Sequence, residues 1–242
     1  GGAAEVVAYG DGPVEVSAGR AFELPAPPLP SADSPVRWIF YTSGTTGDPK
    51  GALHTDATVL AGSAGVARAY AITEDDRYPI VFPFTHIGGI GMLVIQLLTG
   101  CSAVAVEQFS AEHTPHLLAR HGITIAAGGT PLALVYLAQQ RLRPDRPLFP
   151  RLRAVMTGAA PKPPRLHDEL RDEMGGTGAL ACYGLTEAPF LTVSDVTDPD
   201  DRRADTEGRA YVIAGGVYDT TTPVSDLRAV ATLAAAADLP GL

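Results

Sequence analysis

The sequence predicts an α/β fold: a mostly parallel sheet flanked by helices. Strand-like and helix-like segments alternate along most of the 242 residues, and such alternation implies parallel strands covered by helices on both faces. A glycine-rich loop follows the first strand, where α/β proteins commonly bind ligands. Hydrophobic residues at 45% supply enough apolar surface for one large core or two modest ones.

Residues 19–35 are rich in proline and small side chains and read as an extended linker. Residues 36–41, with Val36, Trp38, Ile39, Phe40 and Tyr41, have the β-branched and aromatic composition of a strand. After the loop a helix is expected over 55–70, then a short strand over 79–82, a helix over 87–99 and a strand over 102–106. Ser110 is a candidate cap for a helix over 111–121 that Gly122 ends, and 123–126 is the next strand. A helix over 131–142, a strand over 152–157, a helix over 163–174 and a strand over 179–183 complete the pattern. Residues 226–237 have the alanine-rich composition of one more short helix.

The loop carries the chemistry. Tyr41-Thr42-Ser43-Gly44-Thr45-Thr46-Gly47-Asp48-Pro49-Lys50-Gly51 gathers three glycines, four hydroxyls besides the tyrosine's, and a lysine. Glycines let backbone N–H groups approach a phosphate chain, and hydroxyls and an ammonium add donors. A polyphosphate such as ATP is the expected ligand. The Walker pattern is excluded, because Asp48-Pro49 separates Gly47 from Lys50 and Gly51 stands where Ser or Thr would hold magnesium.

Three more segments matter in combination: Pro83-Phe84-Thr85-His86-Ile87-Gly88-Gly89, Gly158-Ala159-Ala160-Pro161 and Tyr183-Gly184-Leu185-Thr186-Glu187. With the loop, and in this order, they resemble the signature segments of the adenylate-forming superfamily of acyl-CoA synthetases, luciferases and adenylation domains. The resemblance covers residues from about 36 to 209. It is most like an AMP-forming acyl-CoA synthetase, and implies the central part of the large N-terminal domain of such an enzyme.

By that resemblance Thr42, Ser43, Gly44, Thr45, Thr46 and Gly47 hold the β- and γ-phosphates of ATP, with Lys50 adding a point charge. Gly158, Ala159 and Ala160 lie along the adenine edge. Tyr183 and Gly184 form the adenine-stacking segment, Thr186 contacts the α-phosphate, and Glu187 supplies a carboxylate to Mg2+. His86 stands where the family guards the substrate carboxylate. Taken alone, a histidine in an apolar stretch is more often a packing residue, and Tyr183 could equally be a core tyrosine at a strand end.

The implied reaction activates a carboxylic acid to an acyl-adenylate, with coenzyme A the expected acceptor. No Asp or Glu lies between Arg77 and Glu107 to pair with an amino acid's ammonium. Gly88, Gly89 and Gly91, with Gly128-Gly129-Thr130-Pro131, are expected to leave room for an apolar or ring-bearing acid.

A net charge of −9 and the lack of a basic cluster argue against nucleic-acid binding. Cys101 and Cys182 are too few for a disulfide framework and read as packing thiols of a cytoplasmic protein. Residues 87–106 carry no charge, but Gln96, Thr99, Gly100 and Ser102 break the run, so a buried helix and strand are expected rather than a membrane span. His113 and His116 have helical spacing and no third metal ligand. His54, His121 and His167 have no evident partner.

The expected organisation is a residual strand and proline-rich linker over 1–35, a nucleotide- and acyl-binding core over 36–209, and a divergent tail over 210–242. The resemblance implies a C-terminal domain with a catalytic lysine, and that domain is expected to be absent from these 242 residues, whose only lysines are Lys50 and Lys162. That leaves two readings: an acyl-CoA synthetase truncated at both ends, whose missing domain another chain could supply, or a catalytically weak nucleotide-binding or interaction module of the same superfamily.

Overall fold

The computed structural model describes residues 36–42 and 50–210. Strand β1 (Trp38–Thr42) pairs antiparallel with β2 (Lys50–His54), in register from Trp38 opposite His54 to Thr42 opposite Lys50. The glycine-rich loop therefore bridges two strands of a hairpin, where the sequence predicted a strand before it and a helix after. Lys50 to His54 is short and holds one glycine, and its strand character comes from pairing with β1.

Helix α1 (Asp56–Ala69) follows at once, its first turn closed by the Thr55 hydroxyl, which accepts the Thr58 N–H at 3.2 Å. Trp38 Nε1–H donates to Asp56 Oδ1 at 2.8 Å and fastens the hairpin to the start of α1. Strand β3 (Arg77–Ile80), helix α2 (Ile87–Thr99) and strand β4 (Ser102–Ala105) form a parallel crossover unit. Gly100, at φ +73°, stops α2 in the left-handed conformation that glycine adopts without strain.

Helix α3 (Thr114–Arg120), strand β5 (Ile125–Ala126), helix α4 (Gly129–Arg141), strand β6 (Ala154–Gly158), helix α5 (Pro164–Met174) and strand β7 (Ala179–Tyr183) continue the alternation. The expected helix over 111–121 begins later, at Thr114. The Ser110 hydroxyl accepts the His113 N–H at 3.2 Å while Ser110 N–H donates to Thr114 Oγ1 at 2.8 Å, so Ser110 organises a turn before the helix rather than its cap. Besides β2, three more short elements were not anticipated: β8 (Thr192–Val193), α6 (Asp200–Asp205) and β9 (Arg209–Ala210). The expected helix over 226–237 lies outside the described residues.

Strands β5, β6 and β7 are parallel, and β8 and β9 add antiparallel at the edge. Thr124 N–H donates to Arg77 O at 3.0 Å, which lays β3 beside β5 and makes the two sheets adjoin. Alternation along the strands sorts the core into two faces. Ile125, Met156 and Leu180 pack with Val66, Tyr70, Met92 and Ile95 of α1 and α2. Ala126, Val155 and Ala179 pack with Leu118, Tyr136, Leu137, Leu166 and Leu170 of α3, α4 and α5.

The amino-terminal ends of the strands are tied by one buried carboxylate. Asp76, 4% exposed, accepts Arg153 Nε–H and Nη2–H at 2.7 Å each, the Thr124 hydroxyl at 2.5 Å and the Thr73 N–H at 3.0 Å. Arg153 also donates to Tyr70 O at 2.8 Å, reaching the end of α1. Burial pushes the Asp76 carboxyl up, and the bonds from Arg153 and Thr124 more than reverse it, leaving its pKa below the ordinary carboxylate value. A depressed carboxyl stabilises the fold above its unfolded pKa, and that stabilisation disappears as pH falls through the folded pKa. Asp76→Asn should therefore cost about 3 kcal/mol at pH 7, the low end for a broken buried pair because Arg153 keeps some contact with water. The gap between variant and parent should narrow below about pH 4. Urea unfolding across pH measures both, and a gap independent of pH would remove the ionic role.

Candidate nucleotide and acyl site

A cavity of about 640 Å³ opens at the carboxyl ends of β6 and β7, with Thr42 and Lys50 of the hairpin on one wall. Thr42 and Lys50 face each other in register, and Ser43, Gly44, Thr45, Thr46 and Gly47 lie outside the described residues. His86, Ile87 and Gly88 enter from the start of α2. Gly158 and Ala159 come from the end of β6, and Gly184, Leu185, Thr186 and Glu187 from the turn after β7. Four segments far apart in sequence thus meet around one space. Ala160 and Tyr183 are not among the lining residues; Tyr183, at the end of β7, is 47% exposed.

The turn after β6 is built from unusual backbone. Gly158 has φ +142° and Ala159 φ +58°, and a Cβ on Gly158 would stand 2.1 Å from Cys182 O. A left-handed alanine is uncommon and needs support from its surroundings. Thr130 supplies it: Gly158 N–H donates to Thr130 Oγ1 at 3.1 Å, and the Thr130 hydroxyl donates to Ala160 O at 3.1 Å. Gly129 packs its bare Cα against Gly158 O, which an added Cβ would approach to 2.7 Å. Thr130 was visible in the sequence only as part of a glycine-rich turn; its hold on residues 158–160 depends on the pairing of β5 with β6.

The turn after β7 closes on itself, Leu185 and Ala188 exchanging N–H···O bonds of 3.1 Å. No helix starts here. Thr186 and Glu187 sit at its tip, half-buried and facing the cavity. Among the described residues no group of three or more His, Cys, Asp or Glu could hold a metal ion. A cation beside Glu187 would need further oxygens from a bound phosphate chain, as magnesium commonly does, and the Glu187 carboxylate and Thr186 hydroxyl are suitably hard donors.

His86 has two roles. It caps α2, its Nδ1 accepting the Gly88 N–H at 2.9 Å, and its ring lies 5.3 Å from that of Phe82 while lining the cavity. Partial desolvation lowers its pKa, and because Nδ1 accepts the Gly88 N–H, the neutral ring carries its proton on Nε2 as a donor.

The glycines of α2 act differently from expectation. Gly88 lines the cavity, but a Cβ on Gly89 would stand 2.3 Å from Pro83 O and one on Gly91 2.4 Å from the Phe190 ring. The space at Gly89 and Gly91 is filled by the chain itself. Gly128 likewise abuts Leu132 and Gly129 abuts Gly158. Phe190, at φ +56°, joins Phe82, Ile87, Met156 and Cys182 in an apolar wall.

His54, which has no evident partner in the sequence, ends β2 and is 1% exposed. Its Nε2 lies 2.8 Å from Thr186 O and its Nδ1 3.1 Å from Thr58 Oγ1. Burial lowers its pKa against the opposing effects of the Thr186 carbonyl and the Glu187 charge. Nε2–H donates to the Thr186 carbonyl, which can only accept, while Nδ1 faces the Thr58 oxygen, whose own hydroxyl donates to Thr55 O at 2.9 Å.

The thiol of Cys182 is pushed well above its usual range, by burial first and by the Glu207 charge second; it is a wall group. Lys162 is buried and donates from Nζ to Ala204 O. His113 and His116 line a second cavity of about 730 Å³ with Arg120, Arg143 and Arg146. No helix among the described residues is long and apolar enough to cross a membrane.

An open cleft at the carboxyl ends of parallel strands, rimmed by tight glycine turns, is the ligand-binding position of an open α/β sheet. The comparisons narrow the class. The AMP-binding enzyme family matches residues 4–216, and the chain belongs to that family. It is 32% identical over 210 residues to a sulfoacetate–CoA ligase of Cupriavidus necator, covering 82% of this chain and 40% of that protein. It is 35% identical over 185 residues to the 3-[(3aS,4S,7aS)-7a-methyl-1,5-dioxo-octahydro-1H-inden-4-yl]propanoyl:CoA ligase of Mycobacterium tuberculosis, covering 76% of this chain and 35% of that one. The fold matches the O-succinylbenzoate coenzyme A synthetase of Bacillus subtilis in complex with ATP and magnesium ion, with TM-score 0.60, 25% identity, and 72% of this chain and 35% of that chain covered. It also matches ATP-bound MatB of Rhodopseudomonas palustris, with TM-score 0.62, 26% identity, and 72% and 33% covered. The chain therefore spans two fifths or less of these relatives' lengths.

Thr130→Val keeps the shape of the side chain and removes the hydroxyl that bridges residues 158 and 160. The variant should lose about 1–2 kcal/mol in urea unfolding, because a buried N–H is left without its acceptor. An unchanged midpoint would remove that role.

Proposed function

We propose that this chain carries the ATP- and acyl-binding core, over residues 36–209, of an AMP-forming acid–CoA ligase. The observation that carries the proposal is the convergence of Lys50, His86, Gly158, Ala159, Thr186 and Glu187 on one cavity. The curated relatives that act on carboxylic acids as CoA ligases support the reaction class.

In this reading a carboxylate oxygen attacks the α-phosphorus of ATP, the bond to the β-phosphate breaks, and pyrophosphate leaves. The sulfur of coenzyme A then attacks the acyl carbon and AMP leaves. An anion attacks a polyanion in the first step, so charge neutralisation and positioning dominate the barrier. Lys50, with Thr42, Ser43, Gly44, Thr45, Thr46 and Gly47, holds the β- and γ-phosphates. Gly158, Ala159, Ala160, Tyr183 and Gly184 form the adenine side, Ala160 through its backbone and Tyr183 by its exposed ring. Thr186 contacts the α-phosphate and Glu187 holds magnesium, which would neutralise phosphate charge when bound. The Nε2–H of neutral His86 orients the substrate carboxylate.

The acid is expected to be an apolar monoanion. Phe82, Ile87, Met156, Cys182 and Phe190 offer no charge, and among the described residues no arginine lines the cavity for a second acidic group. An α-amino acid is disfavoured for lack of an acidic partner on residues 77–107 other than Glu107 itself.

The test is pyrophosphate release by the purified chain with ATP, magnesium and a panel of aliphatic, aromatic and dicarboxylic acids. Release with an apolar monoacid is the expected result. Nucleotide binding without any acid-dependent release would restrict the chain to a nucleotide-binding module. Lys50→Ala should weaken ATP binding about tenfold or more by calorimetry, since a charge-assisted bond contributes roughly 1.5–3 kcal/mol; unchanged affinity removes Lys50 from the phosphate site. Glu187→Gln should flatten the magnesium dependence of ATP binding, and a titration identical to the parent's would count against the metal role.

A further inference from the structure

His54 connects two walls of the cavity that are 132 residues apart in sequence. On one side is β2, which begins with Lys50; on the other is the turn that carries Thr186 and Glu187. Lys50, Ala52 and His54 alternate with Gly51 and Leu53, so the lysine and the histidine leave the same face of the strand. At about 3.3 Å per residue the two positions lie roughly 13 Å apart along it.

Two contacts hold the ring and one holds its backbone. Its Nδ1 meets the Thr58 hydroxyl of α1 at 3.1 Å, and the ring of Phe40 on β1 stands edge-on at 5.9 Å. The backbone of His54 accepts the Arg37 N–H at 2.9 Å. An imidazole fixed in this way has one direction left for Nε2–H, and Thr186 O lies there at 2.8 Å. The Thr186 turn is otherwise closed by the short Leu185–Ala188 exchange, which shapes the loop without anchoring it to the hairpin. Side-chain groups on a turn inherit its position, so a bond to the Thr186 carbonyl governs where the Thr186 hydroxyl and Glu187 carboxylate stand.

We propose that His54 is a positioning residue: through the Thr186 carbonyl it sets the Thr186–Glu187 turn against the strand that carries Lys50, and metal-dependent nucleotide binding relies on that bond. The proposal rests on the functional reading above for the role of Glu187, and on the geometry alone for the hold on the turn.

Two substitutions separate position from bulk. Gln places an amide nitrogen near the position of Nε2 and can still donate to Thr186 O, whereas Asn reaches only toward Thr58. In ligand-free protein, amide hydrogen exchange over residues 184–188 should rise about tenfold in His54→Asn and stay within about threefold of the parent in His54→Gln. Exchange in the central strand residues 179–182 should change little in either. By calorimetry, the gain in ATP affinity conferred by magnesium should fall about tenfold in His54→Asn and be retained in His54→Gln. Equal exchange and equal magnesium response in the two variants would overturn the proposal. So would a His54→Asn variant that loses affinity for metal-free ATP as much as for the magnesium complex. A parent chain with no ATP binding would sink the ligase reading instead, and the exchange comparison, which needs no ligand, would still support or overturn the hold of His54 on the turn.

Discussion

The parallel pairing of β5, β6 and β7 is the constraint on which the rest of the structure depends. Parallel strands share one direction, so the chain leaves them all at the same end and the turns after them crowd together. The segments 158–160 and 184–187 meet at that end because Gly158 pairs with Cys182. Both faces of the sheet are covered, by α1 and α2 on one side and α3, α4 and α5 on the other. The carboxyl edge is thereby left as the open concave surface in this part of the molecule.

Convergence brings backbone close to backbone, and glycine appears where a Cβ would not fit. Gly158 lies against Cys182 O and Gly129 against Gly158 O. Two non-glycine residues at the cavity, Ala159 and Phe190, hold positive φ angles. Such residues cost on the order of 1–3 kcal/mol each and persist only where neighbours determine their conformation. Around Ala159 those neighbours include the Thr130 hydroxyl; around Phe190 they are Gly62, Gly91 and Gly184, which leave space for its ring and backbone.

Stability and the cleft occupy opposite ends of the sheet. Asp76, Thr124 and Arg153 stand just before β3, β5 and β6 and tie the amino-terminal ends through a buried ion pair. The cavity, with Lys50, His86 and Glu187, takes the other end. A loss at Asp76 is thus expected to act on the whole domain, and a change at Thr186 or Glu187 on the cleft.

Much of this was legible in the sequence. Helices α1, α2, α4 and α5 and strands β4, β6 and β7 fall close to their expected positions, because their apolar residues recur at helix or strand spacing and glycine, proline or capping residues bound them. Short elements were not legible: β2 is made by its partner β1, and β8 and β9 by the edge of the sheet. The motifs named Lys50, His86, Gly158, Ala159, Gly184, Thr186 and Glu187 by residue type and order, since glycine turns, hydroxyls and a carboxylate carry their chemistry in their identity. Whether they share a space, what fills the gaps beside Gly89 and Gly91, and which partners Thr130 and His54 find were decided by tertiary structure alone. The bonds of Thr130 to Gly158 and of His54 to Thr186 cross 28 and 132 residues of chain, and local pattern holds no information about separations of that length until strand pairing brings the ends together.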